Sequence, residues 1–318
     1  MSNPSAATIA VRHKPLWRIR LELFWKGLRA NWALFIENPI GVLGLAIIIF
    51  FALMGILHPI LIRTVWDPTV YDPVVGYDFQ ILAHPAPPSA RHLLGTDPLG
   101  RDVLSQLMSS TQTEFVLGVL AALITVIIAT SVGAIAAYYG GAIDTVFMRL
   151  ADLIIMLPFV SILIVISALF KLNMVKLALI IGILSGFGGT TVIIKSQALI
   201  VKVKPYIEAA RVAGGGDGHI ILIHFVPNLL PLSFLYMMFT VTGAIFSEAV
   251  LSFFGLLHIR MSWGIMIHTA QTAGYLLSGA RYWWLVIPPG LAITLLCSAF
   301  YLVGRALDEV VNPRLRRR

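Results

Sequence analysis

Long apolar runs separated by polar breaks organise this chain. Six runs reach the roughly 20 residues that an α-helix needs to cross about 30 Å of hydrocarbon: approximately 40–62, 115–139, 153–172, 177–201, 229–254 and 284–303. Backbone amides in lipid have no water to bond, so each run is expected to satisfy them internally, as a helix. The pattern therefore predicts an all-α integral membrane protein with six transmembrane helices.

The polar breaks divide the chain further. Residues 16–36 mix Trp17, Trp25 and Trp32 with Arg18, Arg20, Lys26 and Arg29, as in a helix lying in a headgroup layer. Asn38-Pro39 then suits the cap and first turn of the first span. Residues 63–113 are Pro-rich and acidic, a composition of turns and extended segments. Pro158 predicts a bend in the third span, and Pro227 and Pro231 the start of the fifth or a kink in it. Gly182 with Gly186, and Ser131, Gly133 and Ala137, are small residues suited to close helix packing.

Composition supports the membrane reading: 58% of the 318 residues are hydrophobic and 12% charged, more apolar surface than a soluble core hides. The net charge of +8 is not gathered into a nucleic-acid-binding patch. It is sorted by membrane side, with sixteen Lys and Arg near one face and seven near the other. The positive-inside rule assigns the richer face, and with it both termini, to the cytoplasm of a multi-pass cell-membrane protein. The expected organisation is a cytoplasmic amphipathic segment (1–38), a first span (39–62), an extracytoplasmic segment (63–113) and a five-span core (114–318) with a cytoplasmic loop at about 202–228. Cys297 lies in the last span and reads as a small core residue. Residues 1–38 show no cleavable signal pattern.

Candidate chemistry is sparse. The chain contains no GxxxxGK[ST] phosphate loop, no HExxH and no GxSxG, so nucleotide hydrolysis, zinc peptidase and serine hydrolase readings lack their residues. His219 and His224, five apart, would not share an α-helical face. Asp67, Asp72 and Asp78 lack the spacing of a calcium loop. Glu248 and Asp152 lie within spans but near their ends and read as capped or paired carboxylates. No catalytic residue, metal or cofactor is expected in this chain.

The most informative stretch is 204–231. Lys204 to Gly214 reads as a short helix with Pro205 in its first turn and Gly214 as its left-handed terminator. Ala209 and Ala210 keep one face slim, Glu208 and Arg211 place opposite charges on adjoining faces, and Asp217 is expected to cap a second helix after Gly214-Gly215-Gly216. Such a knob suits docking by a soluble partner.

This stretch resembles the EAA loop of permease subunits of binding-protein-dependent ABC importers, with Glu208, Ala209, Ala210, Gly214 and Pro227 on the motif. The segment RHLLGTDPLGRDVLSQL is similar to a signature of the dipeptide, oligopeptide and nickel branch, through His92, Leu94, Gly95, Thr96, Asp97, Leu99, Gly100, Arg101 and Asp102. Lys195, Gln197, Leu199 and Tyr206, and later GAIFSEAVLSFFGL, SWGIMI and YWWLVIPPGLAI, extend the resemblance from about residue 43 to 314. Phe187, Val192, Gly215-Gly216, His219 and Ile223 depart from the pattern, and the stretch 255–262 is short.

The resemblance implies one permease half of a translocation pathway for di- or oligopeptides or a similar small solute. It also implies a homologous second permease, two cytoplasmic ATPase subunits that bind ATP and Mg, and an extracytoplasmic solute-binding protein. Glu208, Ala209, Ala210, Arg211, Gly214 and Asp217 would form the ATPase-docking coupling helix between spans 4 and 5. Two rivals stand beside it. An autonomous secondary transporter or channel would show discontinuous helices and buried ionisable groups near the midplane, and a membrane enzyme would show convergent catalytic side chains.

Overall fold

The computed structural model describes residues 16–311. Those residues form a helical bundle without a β-strand. Residues 1–15 and 312–318, which hold much of the expected basic tails, and the side chains of Trp17 and Arg20 lie outside the described set.

Helix α1 (Leu16–Ile36) is the amphipathic segment, and α2 (Pro39–Thr64) follows directly. The Asn38 side chain accepts from the amides of Ile40 and Gly41, the expected cap. A single turn, α3 (Pro68–Tyr71), interrupts the polar segment before α4 (Val103–Tyr139). At 37 residues, α4 is about 55 Å long and starts well before the expected 115. Its cap is Asp102, whose carboxylate accepts from the Ser105 amide.

The third apolar run is two helices, α5 (Gly141–Met156) and α6 (Phe159–Leu169), bent by 84°. Pro158 supplies no amide and holds Leu157 extended at φ −89°, ψ 134°. The fourth run is likewise broken, at Gly188, into α7 (Met174–Phe187) and α8 (Gly189–Lys202), bent by 42°. Short helices α9 (Pro205–Val212) and α10 (Asp217–His219) lead through a π-helical turn, Ile220–Phe225, into α11 (Val226–Phe253). The chain continues through α12 (Trp263–Thr272) and two 3₁₀ turns, Tyr275–Leu277 and Gly279–Leu285, to α13 (Ile287–Val311). The last run thus begins a few residues later than expected. Among the described residues, four unbroken helical stretches are long and apolar enough to cross a membrane, and up to six do so if each bent pair is one span.

Helix α4 is the centre of the bundle, packing against α2, α7, α8 and α11. Gly182 and Gly186 permit the α7 contact: a Cβ on either would lie 2.6 Å from Ile124 Cβ or 2.8 Å from Ile128 Cβ. Gly133 does the same toward α8, where a Cβ would meet the Lys195 amide nitrogen at 3.0 Å. Ser131 does not share this face; two residues from Gly133, it is exposed.

The polar segment is pinned to the N-terminal end of α4 by buried charge. His92, fully buried, points Nδ1 at Asp102 Oδ2 (2.8 Å) and Nε2 at Asp78 Oδ2 (3.1 Å). Arg101 donates from Nε to Asp97 Oδ2 at 2.7 Å. Gly95 (φ +73°) and Gly100 (φ +83°) make the turns that only glycine adopts cheaply. Asp67 caps α3, and Asp72 Oδ1 accepts from the Val74 and Val75 amides, so each of the three aspartates considered for calcium is used within the segment.

Candidate functional site

The segment 204–228 folds as a knob on the ends of α4 and α8. Pro205 occupies the first turn of α9, where its missing amide costs nothing. The helix ends in paired reverse hydrogen bonds, from the Gly214 amide to Arg211 O (3.0 Å) and from the Gly215 amide to Ala210 O (2.9 Å). This termination needs a left-handed residue, and Gly214 has φ +83°. A Cβ on Gly215 would approach Ala210 O to 2.8 Å, so glycine is favoured there too.

One face of the knob is core. Ile207 on α9 and Ile220 and Phe225 of the π turn are fully buried, in one apolar cluster with Ala137 and Tyr138 of α4, Ile194, Ala198 and Val201 of α8, and Leu229 of α11. The opposite face is open: Glu208, Ala209, Arg211, Gly214 and Asp217 are exposed and Ala210 half-buried, while Val212 is 89% exposed.

The structure corrects the expected role of Asp217. Its side chain caps nothing; the residue before it, Gly216, occupies the cap position. Instead Asp217 Oδ1 accepts from the Tyr138 hydroxyl at 2.6 Å. Arg211 lies over the same Tyr138 ring, 5.7 Å from its centroid, rather than pairing with Glu208. Lys202 Nζ donates to Ala137 O and Tyr138 O, both at 2.9 Å, satisfying carbonyls that the end of α4 leaves open. Tyr138 and Lys202 were not singled out from sequence. A tyrosine at the end of an apolar run, facing a glycine-rich loop, was the only signal.

The π turn also revises a spacing argument. In a π helix residues five apart align, and the His219 and His224 rings meet edge to face at 5.8 Å. Among the described residues no group of three His, Cys, Asp or Glu side chains is placed to hold a metal ion.

Two other carboxylates need placing. Asp152 is exposed on α5, 3.6 Å from Arg149, a surface pair of small energetic value. Glu248 is fully buried and accepts from Ser252 Oγ at 2.5 Å. Its neighbour is Glu114 of α4, also fully buried, which sequence reasoning had left just outside the second span. Three oxygens of the pair, both of Glu114 and Oε2 of Glu248, lack a well-formed bond from an N–H or hydroxyl among the described residues, and the two carboxyls face each other. Bent helices and a buried acidic pair are features named above for a secondary transporter. Glu248, however, lies toward the C-terminal end of α11, five residues before Phe253, not at its middle.

The comparisons resolve the matter. Residues 116–317 match the family described as the binding-protein-dependent transport system inner membrane component. The chain belongs to this family. It is the permease class of ABC importer component, a multi-pass membrane protein and not itself an enzyme. Among its relatives, the dipeptide transport system permease protein DppC of Bacillus subtilis (strain 168) is 32% identical over 291 residues, covering 90% of this chain and 85% of that protein. The DppC protein of Haemophilus influenzae (strain ATCC 51907 / DSM 11121 / KW20 / Rd) is 30% identical, covering 91% and 95%. The oligopeptide transport system permease protein OppC of Escherichia coli (strain K12) is 30% identical, covering 89% of each chain.

Proposed function

We propose that this permease forms half of a pathway for di- or oligopeptides in a bacterial inner membrane, paired with a homologous permease and served by an external solute-binding protein. Two cytoplasmic ATPase subunits, carrying ATP and Mg, dock on the knob. The solute class rests on relatives named for dipeptide and oligopeptide transport. Both termini and the knob face the cytoplasm, as the charge asymmetry of the sequence suggests, with each bent pair counted as one of six spans.

The observation that carries the coupling is the shared core beneath the exposed knob. Ile207, Ile220 and Phe225 are packed into α4, α8 and α11 together. Close-packed side chains transmit displacement rather than absorb it. When nucleotide binding draws the ATPases together, the force on the face carrying Glu208, Ala209, Ala210, Arg211, Gly214 and Asp217 passes into three helices at once. The rigid Gly214 termination keeps α9 from bending instead. The pathway then alternates between outward and inward opening.

The test is purification of the tagged chain in mild detergent with mass spectrometry of what accompanies it. A Walker-motif ATPase that Glu208→Ala with Gly214→Pro releases supports the reading. A folded chain that transports without any ATPase refutes it.

A further inference from the structure

A wedge opens between α1 and the rest of the bundle. At its closed end α1 is clamped: Phe35 is buried against Val303 and Ala306, stacks on Trp32 at 5.7 Å, and lies where any Cβ on Gly41 would reach it at 3.1 Å. Asn38 donates to Glu309 Oε2 at 2.6 Å, fixing the turn into α2 and engaging an acid of α13. Away from this clamp the helices diverge around a cavity of about 840 Å³. Its walls are apolar, from Leu45 of α2 and Val303, Leu307 and Val310 of α13. The α1 side adds Trp25 and Trp32, 59% and 52% exposed, and the exposed cations Lys26 and Arg29.

A cavity walled by aliphatic side chains and fringed by tryptophan and two cations matches an amphiphile with an acyl body and an anionic head. Tryptophan rings favour the boundary between hydrocarbon and headgroups. Cations near a membrane surface attract anionic lipid. A soluble anion would leave the apolar walls uncovered, and a neutral lipid would leave the cations without a counter-charge.

We propose that one anionic phospholipid occupies this wedge, its phosphate between Lys26 and Arg29 and its chains against Leu45, Val303 and Leu307. It completes the packing of α1 on the first and last spans. The inference rests on the cytoplasmic placement of α1 proposed above and is separate from the coupling proposed for the knob.

The purified, delipidated complex, mixed with equal amounts of palmitoyl-oleoyl phosphatidylglycerol and phosphatidylcholine, is read by native mass spectrometry. The expected result is at least tenfold preferential retention of phosphatidylglycerol, lost in Lys26→Gln/Arg29→Gln and reduced in Leu307→Trp, which narrows the wedge. The two cations are exposed, so the charge variant tests the idea even where the tryptophan variant does not fold. Equal retention of both lipids, or unchanged retention in the charge variant, overturns the proposal. So does crosslinking that shows a helix of another subunit filling the wedge.

Discussion

The Tyr138 hydroxyl donates to Asp217 across 2.6 Å, joining residues 79 apart in sequence at the junction of the central helix and the knob. The bond carries an orientation that packing alone does not fix, because the Tyr138 ring also sits edge-on to Phe225 at 5.5 Å and under Arg211. Tyr138→Phe keeps the ring contacts and deletes the bond. Loss of about 1 kcal/mol is expected, seen as a small drop in melting temperature. ATP-driven uptake should fall more than ATPase co-purification does. Equal loss of both would mean that the residue only holds the knob folded.

Gly214 allows a test of backbone conformation alone. A Cβ there meets nothing within 4 Å, so the cost of Gly214→Ala is the left-handed backbone, about 1–2 kcal/mol. Gly214→Asn is milder because asparagine tolerates that region. Uptake and thermal stability should rank Gly above Asn above Ala. An alanine variant equal to the natural protein would show that the turn does not need this geometry.

The Glu114 and Glu248 carboxyls face each other in one buried site. A second ionised carboxylate in such a site would oppose the first. Glu114→Gln removes one and offers amide donors to the other. Stability should rise by on the order of 1 kcal/mol, measured as melting temperature in detergent. A fall of several degrees would show that the pair is held by contacts the substitution breaks.

The polar segment before α4 should loosen at both ends of the pH range. Asp102, accepting at Nδ1, raises the His92 pKa above its ordinary value despite burial, and Asp78 adds to it. Stability from this group is therefore complete below the unfolded imidazole value near 6.5 and is lost as pH rises through the higher folded value. Burial pushes Asp78 up, but the Gln80 amide, His92 and Arg91 together hold its pKa below the ordinary carboxylate value. That contribution is present above the unfolded value and is lost in acid. Protease nicking within 63–102 should be slowest between these limits. His92→Gln should abolish the alkaline increase; an unchanged profile would contradict the assignment.

Much of the architecture is legible in the sequence because lipid makes apolar length decisive. Residues 40–62 and 115–139 lie within α2 and α4, and Pro205 and Gly214 frame α9 as local rules require. What escaped was tertiary. Asp217 follows a glycine run and so reads as a cap, yet the nearby Tyr138 hydroxyl takes it. Glu114 follows a stretch of Ser, Thr and Gln that reads as loop, yet the helix capped by Asp102 begins at Val103, which draws Glu114 inside. His219 and His224 were judged by α-helical spacing where the chain forms a π turn.

The most direct test of the knob as a docking site is photo-crosslinking in native membranes. Benzoylphenylalanine is placed at Val212, 89% exposed on the knob, and separately at Leu82, fully exposed in the polar segment assigned to the other side. The account predicts an ATPase adduct from position 212 and none from 82. No ATPase adduct at 212, or one at 82, would contradict it.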